Sequence, residues 1–253
     1  MEKIEKGYLY IAFGEAFTKE ALMSIKSLKR FNNEPVALFT DLDQTKEFDG
    51  LVDLYAKINP RHIRAKVDFI DQSPFKKTIY LDSDTLIVRN ISDMFDVLDR
   101  FDVAVTNDYA RKRTKYSNIV PEYAEIPYSF SEVNGGIMAY NNSLATNTFL
   151  AMWKEYFYKY YEQTNGWDQV SLRISLWRSN ARIHHFPFEY NIRSKGNREK
   201  QDRFKHEFGE QHMSPRIYHL HYENAHVHNG KFKYELKDLD EFEKKIIEQA
   251  VWY

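Results

Sequence analysis

The chain has 253 residues, of which 43% are hydrophobic and 29% charged, and its formal net charge is −1 at pH 7. This composition describes an ordinary globular protein with a sizeable core, and the near-neutral charge argues against a general nucleic-acid binder, whose domains are usually basic. Because the chain has no cysteine, disulfides, thiolate metal sites and cysteine nucleophiles are excluded. No apolar run suits a signal peptide or approaches the ~20 residues of a membrane span, so we expect a cytoplasmic location, with peripheral membrane contact left open.

Buried strands alternate with amphipathic helices through the first hundred residues. The predicted strands are Tyr8–Phe13, Val36–Thr40, Thr78–Val88 and Phe101–Thr106. The predicted helices are one capped by Thr18, with Leu22, Ile25, Leu28 and Phe31 on its buried side, and one after Asn59-Pro60, with Ile63, Val67 and Ile70 on its buried side. This alternation predicts a parallel, Rossmann-like α/β sheet, in which ligands bind at the carboxyl ends of the strands.

The stretch Thr78–Val88, TIYLDSDTLIV, delivers two aspartates at the end of an apolar run. Residues two apart in an extended strand face the same way, so we expect Asp82 and Asp84 to project together. Paired carboxylates are a divalent-cation site in outline, since hard cations such as Mg²⁺ take oxygen ligands. The same spacing recurs at Asp41/Asp43 and at Asp238/Asp240, so spacing alone does not choose among the three pairs.

The second half of the chain begins with an unusual segment. Tyr109–Ser131 is rich in basic residues and tyrosines and reads as an irregular loop, and a loop of that length inside a compact domain is usually functional or mobile. The elements predicted after it are a strand Ile137–Tyr140 led by Gly135-Gly136, helices beginning at Thr146 and at Trp167-Asp168-Gln169, strands Ile183–Phe188 and Ile217–Tyr222, and an amphipathic closing helix from Leu236. Val170, Ile174 and Trp177 are expected on the buried side of the second helix.

Several sequence blocks, in order, resemble those of a GT-A glycosyltransferase. They are Lys66, SPFKKTIYLDSDTLI, VNGGIMAYN, WDQVSL, FPFEYN and IYHLHY. More narrowly, they resemble the retaining, glycogenin-type family and its bacterial galactosyltransferase relatives, over residues 8–225. The resemblance implies an α/β GT-A fold, a Rossmann-like nucleotide-diphospho-sugar transferase fold with a mostly parallel central sheet flanked by helices. We expect one domain, 1–253, with a nucleotide-binding half at about 1–108, an acceptor and metal-completing half at about 132–230, and a C-terminal helix at 236–253.

The resemblance also implies a metal site and a donor site. Asp82 and Asp84 would bind Mn²⁺ or Mg²⁺, because only this aspartate pair follows the family's apolar YLD lead-in, and His219 would be the third ligand, with His221 as the alternative. The residues expected to bind the donor are Ala12, Phe13, Lys66, Asp82, Ser83, Asp108, Asn134 and Gly135. Lys66 could instead be a solvated surface lysine, and Asn134 a turn asparagine before two glycines.

Asp168 and Gln169 resemble the family's Asp-Gln pair at the reacting face of the sugar. Asp168 is equally well placed to cap the helix that it begins, and one carboxylate oxygen would suffice for the cap. The family's Gly-x-x-Lys-Pro-Trp continuation after the histidine is missing here, so its lysine contact to the diphosphate is in doubt. Lys231 or arginines of the stretch 193–203 are candidates to replace it.

The implied activity is metal-dependent transfer of a hexose from a nucleotide sugar, for which UDP is the family's usual nucleotide. The acceptor would be a hydroxyl of a glycan, a lipid-linked sugar or a protein, and the transfer would proceed with retention. An inverting enzyme would need a general base, for which Asp168 and Glu132 are the candidates. The alternatives are a sugar-1-phosphate nucleotidyltransferase, which would want a Gly-rich basic loop where this chain has AFGEA at residues 12–16, and a catalytically silent nucleotide-sugar-binding module.

Overall fold

The computed structural model describes residues 2–193, 203 and 214–219. The strands are β1 (Ile4–Ala12), β2 (Val36–Thr40), β3 (Leu54–Lys57), β4 (Phe75–Leu81), β5 (Thr85–Ile87), β6 (Val103–Asn107), β7 (Val133–Asn141), β8 (Ile183–His185) and β9 (Ile217–His219). The helices are α1 (Gly14–Lys29), α2 (Lys66–Phe69), α3 (Thr114–Ser117), α4 (Pro121–Glu125), α5 (Leu144–Lys159), α6 (Tyr161–Thr164) and α7 (Asp168–Arg178).

These elements fall into two compact units. The first unit comprises Met1–Leu9, Pro60–Leu81 and Met94–Phe186, and the second comprises Tyr10–Asn59, Asp82–Asp93 and Pro187–Tyr253. The boundary between Leu81 and Asp82 falls at the end of β4, directly before the aspartate pair. The two groups of predicted site residues described below therefore belong to different units.

The first unit is built on the strands β1, β4, β7, β6 and β8, in that order. β4 pairs in parallel with the first half of β1 and β8 pairs in parallel with β6, whereas β7 runs antiparallel to both β4 and β6. β7 is buried along almost its whole length, as is the second half of β4. Continuous burial is expected for strands that are covered on both faces.

The second unit contains the parallel pair β2 and β3 and the antiparallel pair β5 and β9. The helix α1 packs through one face in this unit, where Ala21, Leu22, Ile25 and Leu28 are buried. Parallel pairs predominate over the antiparallel neighbours of β7, and helices flank the strands. This mixed α/β architecture confirms the fold class that was predicted from the sequence.

The first helix begins earlier than predicted. Thr18 is not its cap but lies inside α1, where its Oγ1 donates a hydrogen bond to the carbonyl oxygen of Gly14 at 2.9 Å. The chain turns into the helix at Gly14, whose φ of 80° is a conformation that glycine adopts without strain. Asp41 Oδ1 accepts the first helical N–H, from Gly14, at 2.7 Å. Phe31, predicted to be buried, lies beyond the helix and is exposed.

The helix predicted after Asn59-Pro60 forms only from Lys66 onward, as α2. Val67 and Ile70 are buried as expected, but Ile63 is 66% exposed. The preceding residues turn because His62 Nδ1 accepts the backbone N–H of Arg64 at 3.1 Å, a local bond that competes with helix formation. The strand β3 was not predicted at all.

The segment Tyr109–Ser131 was predicted to be an irregular loop, and this was wrong in part. It contains α3 and α4, the latter with Pro121 at its first turn, where proline is favoured. Its apolar side chains form a buried cluster with α7 of the first unit; the members are Tyr116, Val120, Tyr123, Ile126, Tyr160, Val170 and Ile174. Trp177, expected on the buried side of α7, is instead substantially exposed. His221, Lys231 and the helix predicted from Leu236 lie outside the described residues.

Candidate functional site

The aspartate pair lies in a turn rather than in an extended strand. The turn follows β4 in the chain and leads into β5, and it is closed by Thr85, whose backbone N–H and Oγ1 both donate to the carbonyl oxygen of Asp82, at 3.3 and 2.8 Å. The prediction that a pleated backbone would align the two carboxylates was therefore wrong in its geometry. The turn still brings both carboxylates to one place.

His219 reaches the aspartate pair through strand pairing. In the antiparallel register of β5 and β9, His219 lies opposite Thr85, the residue directly after Asp84. One ligand atom from each of Asp82, Asp84 and His219 lies within 4.8 Å of the other two. His219 is fully buried, and its Nε2 is 3.1 Å from Asp84 Oδ1.

The hydrogen bond on the other ring nitrogen decides how His219 faces the carboxylates. Its Nδ1 lies 3.1 Å from Asn191 Oδ1, an oxygen that can only accept, so Nδ1 carries the hydrogen. Nε2 then faces the carboxylate of Asp84, at 3.1 Å from Oδ1. Two carboxylates and an imidazole oriented by an amide are a donor set that suits a divalent ion such as Mn²⁺.

Polar side chains on the buried face of α1 contact the turn that carries Asp82 and Asp84. They recur at helical spacing and are Glu20, Ser24 and Ser27. Ser24 Oγ lies 2.8 Å from Thr85 Oγ1, and Ser27 Oγ accepts the backbone N–H of Ile87 at 2.9 Å. These residues were missed in the sequence, although polar residues at positions i, i+4 and i+7 among buried apolar ones are a visible signal.

Glu20 brings a third carboxyl close to the aspartates. Its Oε2 accepts a hydrogen bond from Ser83 Oγ at 2.6 Å. Burial, followed by the nearby negative charge of Asp84, raises the pKa of Glu20 to about 8. The structure thus assigns Ser83 a bond to Glu20, and it adds Glu20 and Asn191 to the surroundings of the candidate metal site.

The other candidate residues of the second unit lie at or just after the ends of β1 and β2. Ala12 is the buried last residue of β1, and Phe13 directly precedes α1. Asp41 binds the N-terminus of α1, as described above, and Asp43 has an 85% exposed side chain paired with Lys57 at 2.6 Å. Among the described residues, only the pair Asp82 and Asp84 has a third potential ligand beside it.

A second group of predicted residues is built around Asp168 in the first unit. Lys66 is only 7% exposed, which contradicts the alternative of a solvated surface lysine. Its Nζ lies 3.5 Å from Asp168 Oδ2 and donates to the carbonyl oxygen of Gly135 at 3.2 Å. Arg64 Nε approaches Asp168 Oδ1 at 3.6 Å. Burial alone would raise the pKa of Asp168, but Lys66 and then Arg64 outweigh it, so the pKa lies below its ordinary value.

Gly135 lies beside this ion pair and packs tightly against Leu172. A Cβ atom there would lie 3.1 Å from Leu172 Cδ2, 3.6 Å from Asp168 Oδ2 and 3.7 Å from Lys66 Nζ. The role of Asp168 as a helix cap is not observed, because Trp167 precedes α7 and no side chain caps it. The carboxylate of Asp168 is instead committed to the two cations.

Gln169 is held in one orientation. Its Nε2 donates to Asp108 Oδ2 at 2.9 Å and to the carbonyl oxygen of Val133 at 3.1 Å. Both partners are acceptors, so both amide hydrogens are used and Oε1 must point the other way. Asp108 is fully buried, and its Oδ1 also accepts the N–H of Ala110 at 2.9 Å. Asp108 is therefore hydrogen-bonded to Gln169 of α7.

Asn134 lies within β7, where the register with β6 shifts. Its Oδ1 accepts the backbone N–H of Gly136 at 3.1 Å, a local bond of the kind that turn asparagines make. Asn134, Gly135, Lys66, Asp108, Asp168 and Gln169 thus lie in one unit, and Asp82, Asp84 and His219 lie in the other.

The fold is that of GT-A glycosyltransferases, as predicted. No protein-family profile and no curated protein matches the sequence. Among solved structures, the galactosyltransferase LgtC in complex with donor and acceptor sugar analogues is similar over 96% of this chain and 94% of its own, with a TM-score of 0.62 and 12% identity.

Two further glycosyltransferase structures show the same likeness. GlyE of Streptococcus pneumoniae TIGR4 is similar over 97% of this chain, with a TM-score of 0.59 and 19% identity, and the chain spans 63% of GlyE. Mouse xyloside xylosyltransferase 1 is similar over 85% of this chain and 97% of its own, with a TM-score of 0.57 and 12% identity. At these identities the likeness shows the fold. Within the described residues, no helix has both the length and the apolar character to cross a membrane.

Proposed function

We propose that the protein is a metal-dependent glycosyltransferase that moves a hexose from a nucleotide sugar, taken to be a UDP-sugar, to a hydroxyl of a glycan, a lipid-linked sugar or a protein. The observation that carries this proposal is the convergence of Asp82, Asp84 and His219 in a chain with a glycosyltransferase fold. When bound, Mn²⁺ or Mg²⁺ would neutralise the charge that develops on the diphosphate leaving group.

The residues around Asp168 are suited to the sugar. Lys66 supplies a positive charge for the donor's phosphate or sugar, and the paired Asp168 can accept hydrogen bonds from hydroxyls. Gln169 presents Oε1, because both of its amide hydrogens are bound to protein acceptors. An amide oxygen facing the sugar would stabilise the positive charge of an oxocarbenium-like transition state.

The partners of Asp168 and Glu132, the two candidate general bases, favour transfer with retention. Asp168 is paired with Lys66 and Arg64, which keep its pKa below the ordinary value and so weaken it as a base. Glu132 is buried, and each of its oxygens already accepts a hydrogen bond, one from Arg113 Nε at 3.0 Å and the other from the hydroxyl of Tyr123. A general base needs a pKa near the working pH and access to the acceptor proton. We therefore infer front-face attack without a dedicated base.

The nucleotidyltransferase alternative is disfavoured by the N-terminus of α1. Such an enzyme would use the backbone N–H groups after β1 to bind phosphate. Here the first of these groups, from Gly14, is bound by the carboxylate of Asp41 at 2.7 Å. A silent binding module would keep the same site, so only turnover separates it from an enzyme.

The test measures release of the nucleoside diphosphate in the presence and in the absence of Mn²⁺. The donors are UDP-glucose, UDP-galactose, UDP-N-acetylglucosamine and GDP-mannose. We expect turnover of at least one donor with Mn²⁺, loss of it in Asp84→Asn, and no change in Asp43→Asn, the matched variant from the exposed Asp-x-Asp pair. The unfolding midpoint of Asp84→Asn should stay within a few degrees of wild type. Full activity of Asp84→Asn would contradict the proposal.

The stereochemistry is read from the same reaction. If transfer proceeds with retention, NMR of the first-formed product shows the anomeric configuration of the donor. A product with the inverted configuration would contradict retention and would require a general base.

A further inference from the structure

Arg113 joins two buried carboxylates in the first unit. Its Nε donates to Glu132 Oε2 at 3.0 Å, and its NH2 lies 3.5 Å from Asp108 Oδ1. Glu132 and Asp108 are also joined directly, since the N–H of Asp108 donates to the carbonyl oxygen of Glu132 at 3.0 Å. A guanidinium can bridge two carboxylates because its donors form a rigid fork.

Arg113 is itself fixed at its backbone. Its N–H donates to the hydroxyl of Tyr123 at 2.8 Å, and that hydroxyl donates in turn to Glu132. The Tyr123 ring lies against the guanidinium of Arg173, 4.8 Å from the ring centroid. Tyr123 and Glu132 therefore hold both the backbone and the side chain of Arg113, and its NH2 group faces Asp108.

The segment that carries Arg113 is bound to α7 at two points one helical turn apart. Arg173 donates to the carbonyl oxygens of Phe130 and Pro127, at 2.6 and 3.0 Å through NH2. Gln169, four residues earlier on the same face, donates to Asp108 at 2.9 Å. Asp108 thus stands between Arg113 on one side and Gln169 on the other.

We propose that Arg113 is a positioning residue that sets the side-chain amide orientation of Gln169 by holding Asp108 in place as a hydrogen-bond acceptor. The Gln169 amide keeps its hydrogens toward Asp108 and Val133 only while Asp108 offers a fixed acceptor oxygen. Asp108 Oδ1 also accepts the N–H of Ala110 at 2.9 Å, and the guanidinium of Arg113 adds a charged donor to the same oxygen at 3.5 Å. When Arg113 loses its fork, the carboxylate of Asp108 is held less firmly and the amide of Gln169 is loosened. The catalytic consequence rests on the proposed function, in which Gln169 Oε1 faces the sugar.

Arg113→Lys isolates the geometry from the charge. Lysine keeps the positive charge beside Asp108 and Glu132 but lacks the rigid planar fork of a guanidinium, so it cannot reproduce the same donor geometry toward both carboxylates. With the fastest donor of the panel above, we expect kcat to fall about tenfold to a hundredfold while the donor KM stays within about twofold, because a misplaced reacting group costs rate rather than binding. Equal kcat values in Arg113→Lys and wild type would overturn the proposal.

A readout independent of activity is the side-chain amide of Gln169. Its two N–H signals are identified in ¹⁵N-resolved NMR of the unliganded protein by their absence from Gln169→Glu. In wild type both hydrogens should exchange slowly with solvent, since both are bonded in a buried site. In Arg113→Lys the signals should shift and exchange at least tenfold faster, and unchanged signals would overturn the proposal even if no donor is turned over.

Lys112→Met is the matched control. Lys112 Nζ donates to the carbonyl oxygens of Ala124 and Ile126, each at 2.6 Å, so it supports the same segment without contacting Asp108. We expect a lower unfolding midpoint but unchanged Gln169 signals and kcat. If Lys112→Met moves the Gln169 signals as much as Arg113→Lys does, the effect is general loosening of the segment, and the role given to Arg113 is wrong.

Discussion

Lys66→Met tests the buried ion pair between Lys66 and Asp168. The substitution replaces a buried ammonium by an apolar side chain of similar length, so little packing is lost. It leaves the buried carboxylate of Asp168 facing Arg64 alone, at 3.6 Å. The experiment asks how much the pairing of Lys66 with Asp168 contributes to the free energy of unfolding of the protein.

The magnitude follows from the geometry. At the Nζ to Oδ2 distance of 3.5 Å, two unit charges interact by roughly 5 kcal/mol at an effective dielectric constant of about 20. Removing one partner of a buried pair costs about 3–5 kcal/mol. Arg64 remains, and the desolvation cost of Lys66 disappears, so we expect a loss of about 2–3 kcal/mol in the free energy of unfolding. For a chain of this size that is a fall of about 5–10 °C in Tm.

The assay is urea unfolding of wild type, Lys66→Met, Asp168→Asn and the double variant, followed by tryptophan fluorescence. A coupling energy of about 2 kcal/mol is expected from this cycle, because the double variant no longer buries an uncompensated charge. The control is Lys76→Met, whose partner Glu5 lies at 3.1 Å on the surface and should contribute under about 0.5 kcal/mol.

The pH dependence has a definite sign. The pKa of Asp168 is depressed in the folded state. The ionised carboxylate therefore stabilises the folded protein at neutral pH, and this stabilisation is lost as the pH falls below the ordinary aspartate pKa of about 4. The cost of Lys66→Met should therefore shrink in acid. A cost below about 0.5 kcal/mol at pH 7, or a coupling energy near zero, would refute the reasoning and leave Arg64 as the cation that holds Asp168.

Two further predictions concern stability. Gly7→Ala places a Cβ 2.3–2.7 Å from ring carbons of the buried Phe75, so we expect a loss of about 2–3 kcal/mol in urea unfolding, largely recovered when Phe75 is shortened to leucine. Asp102 receives hydrogen bonds from Arg182, which lower its pKa to about 2. Asp102→Asn should cost about 1–2 kcal/mol at pH 7, and the difference from wild type should close between pH 4 and pH 2 as the native carboxylate is protonated; a pH-independent cost would contradict this.

The sequence by itself determined the elements whose signals are local. The strand Val36–Thr40 was predicted to the residue, because a short run of apolar residues after a proline has few other conformations. The fold class followed from the alternation of strands and helices. Asp82 and Asp84 were distinguished from the other aspartate pairs by a lead-in, YLD, that resembles that of the GT-A glycosyltransferases.

Only the tertiary structure decided which residues meet. His219 is placed by the register of β9 against β5, and Glu20 reaches Ser83 from α1, so neither contact has a signature in the neighbouring sequence. Lys66 was distinguished from a surface lysine by its burial against Asp168, and Asp168 from a helix cap by the cations beside it. Hydrophobic patterns specify which face of an element is buried, whereas partners for buried charges depend on distances across the fold. The orientation of the Gln169 amide is such a case, because it follows from two acceptors, Asp108 and Val133, that two other segments supply.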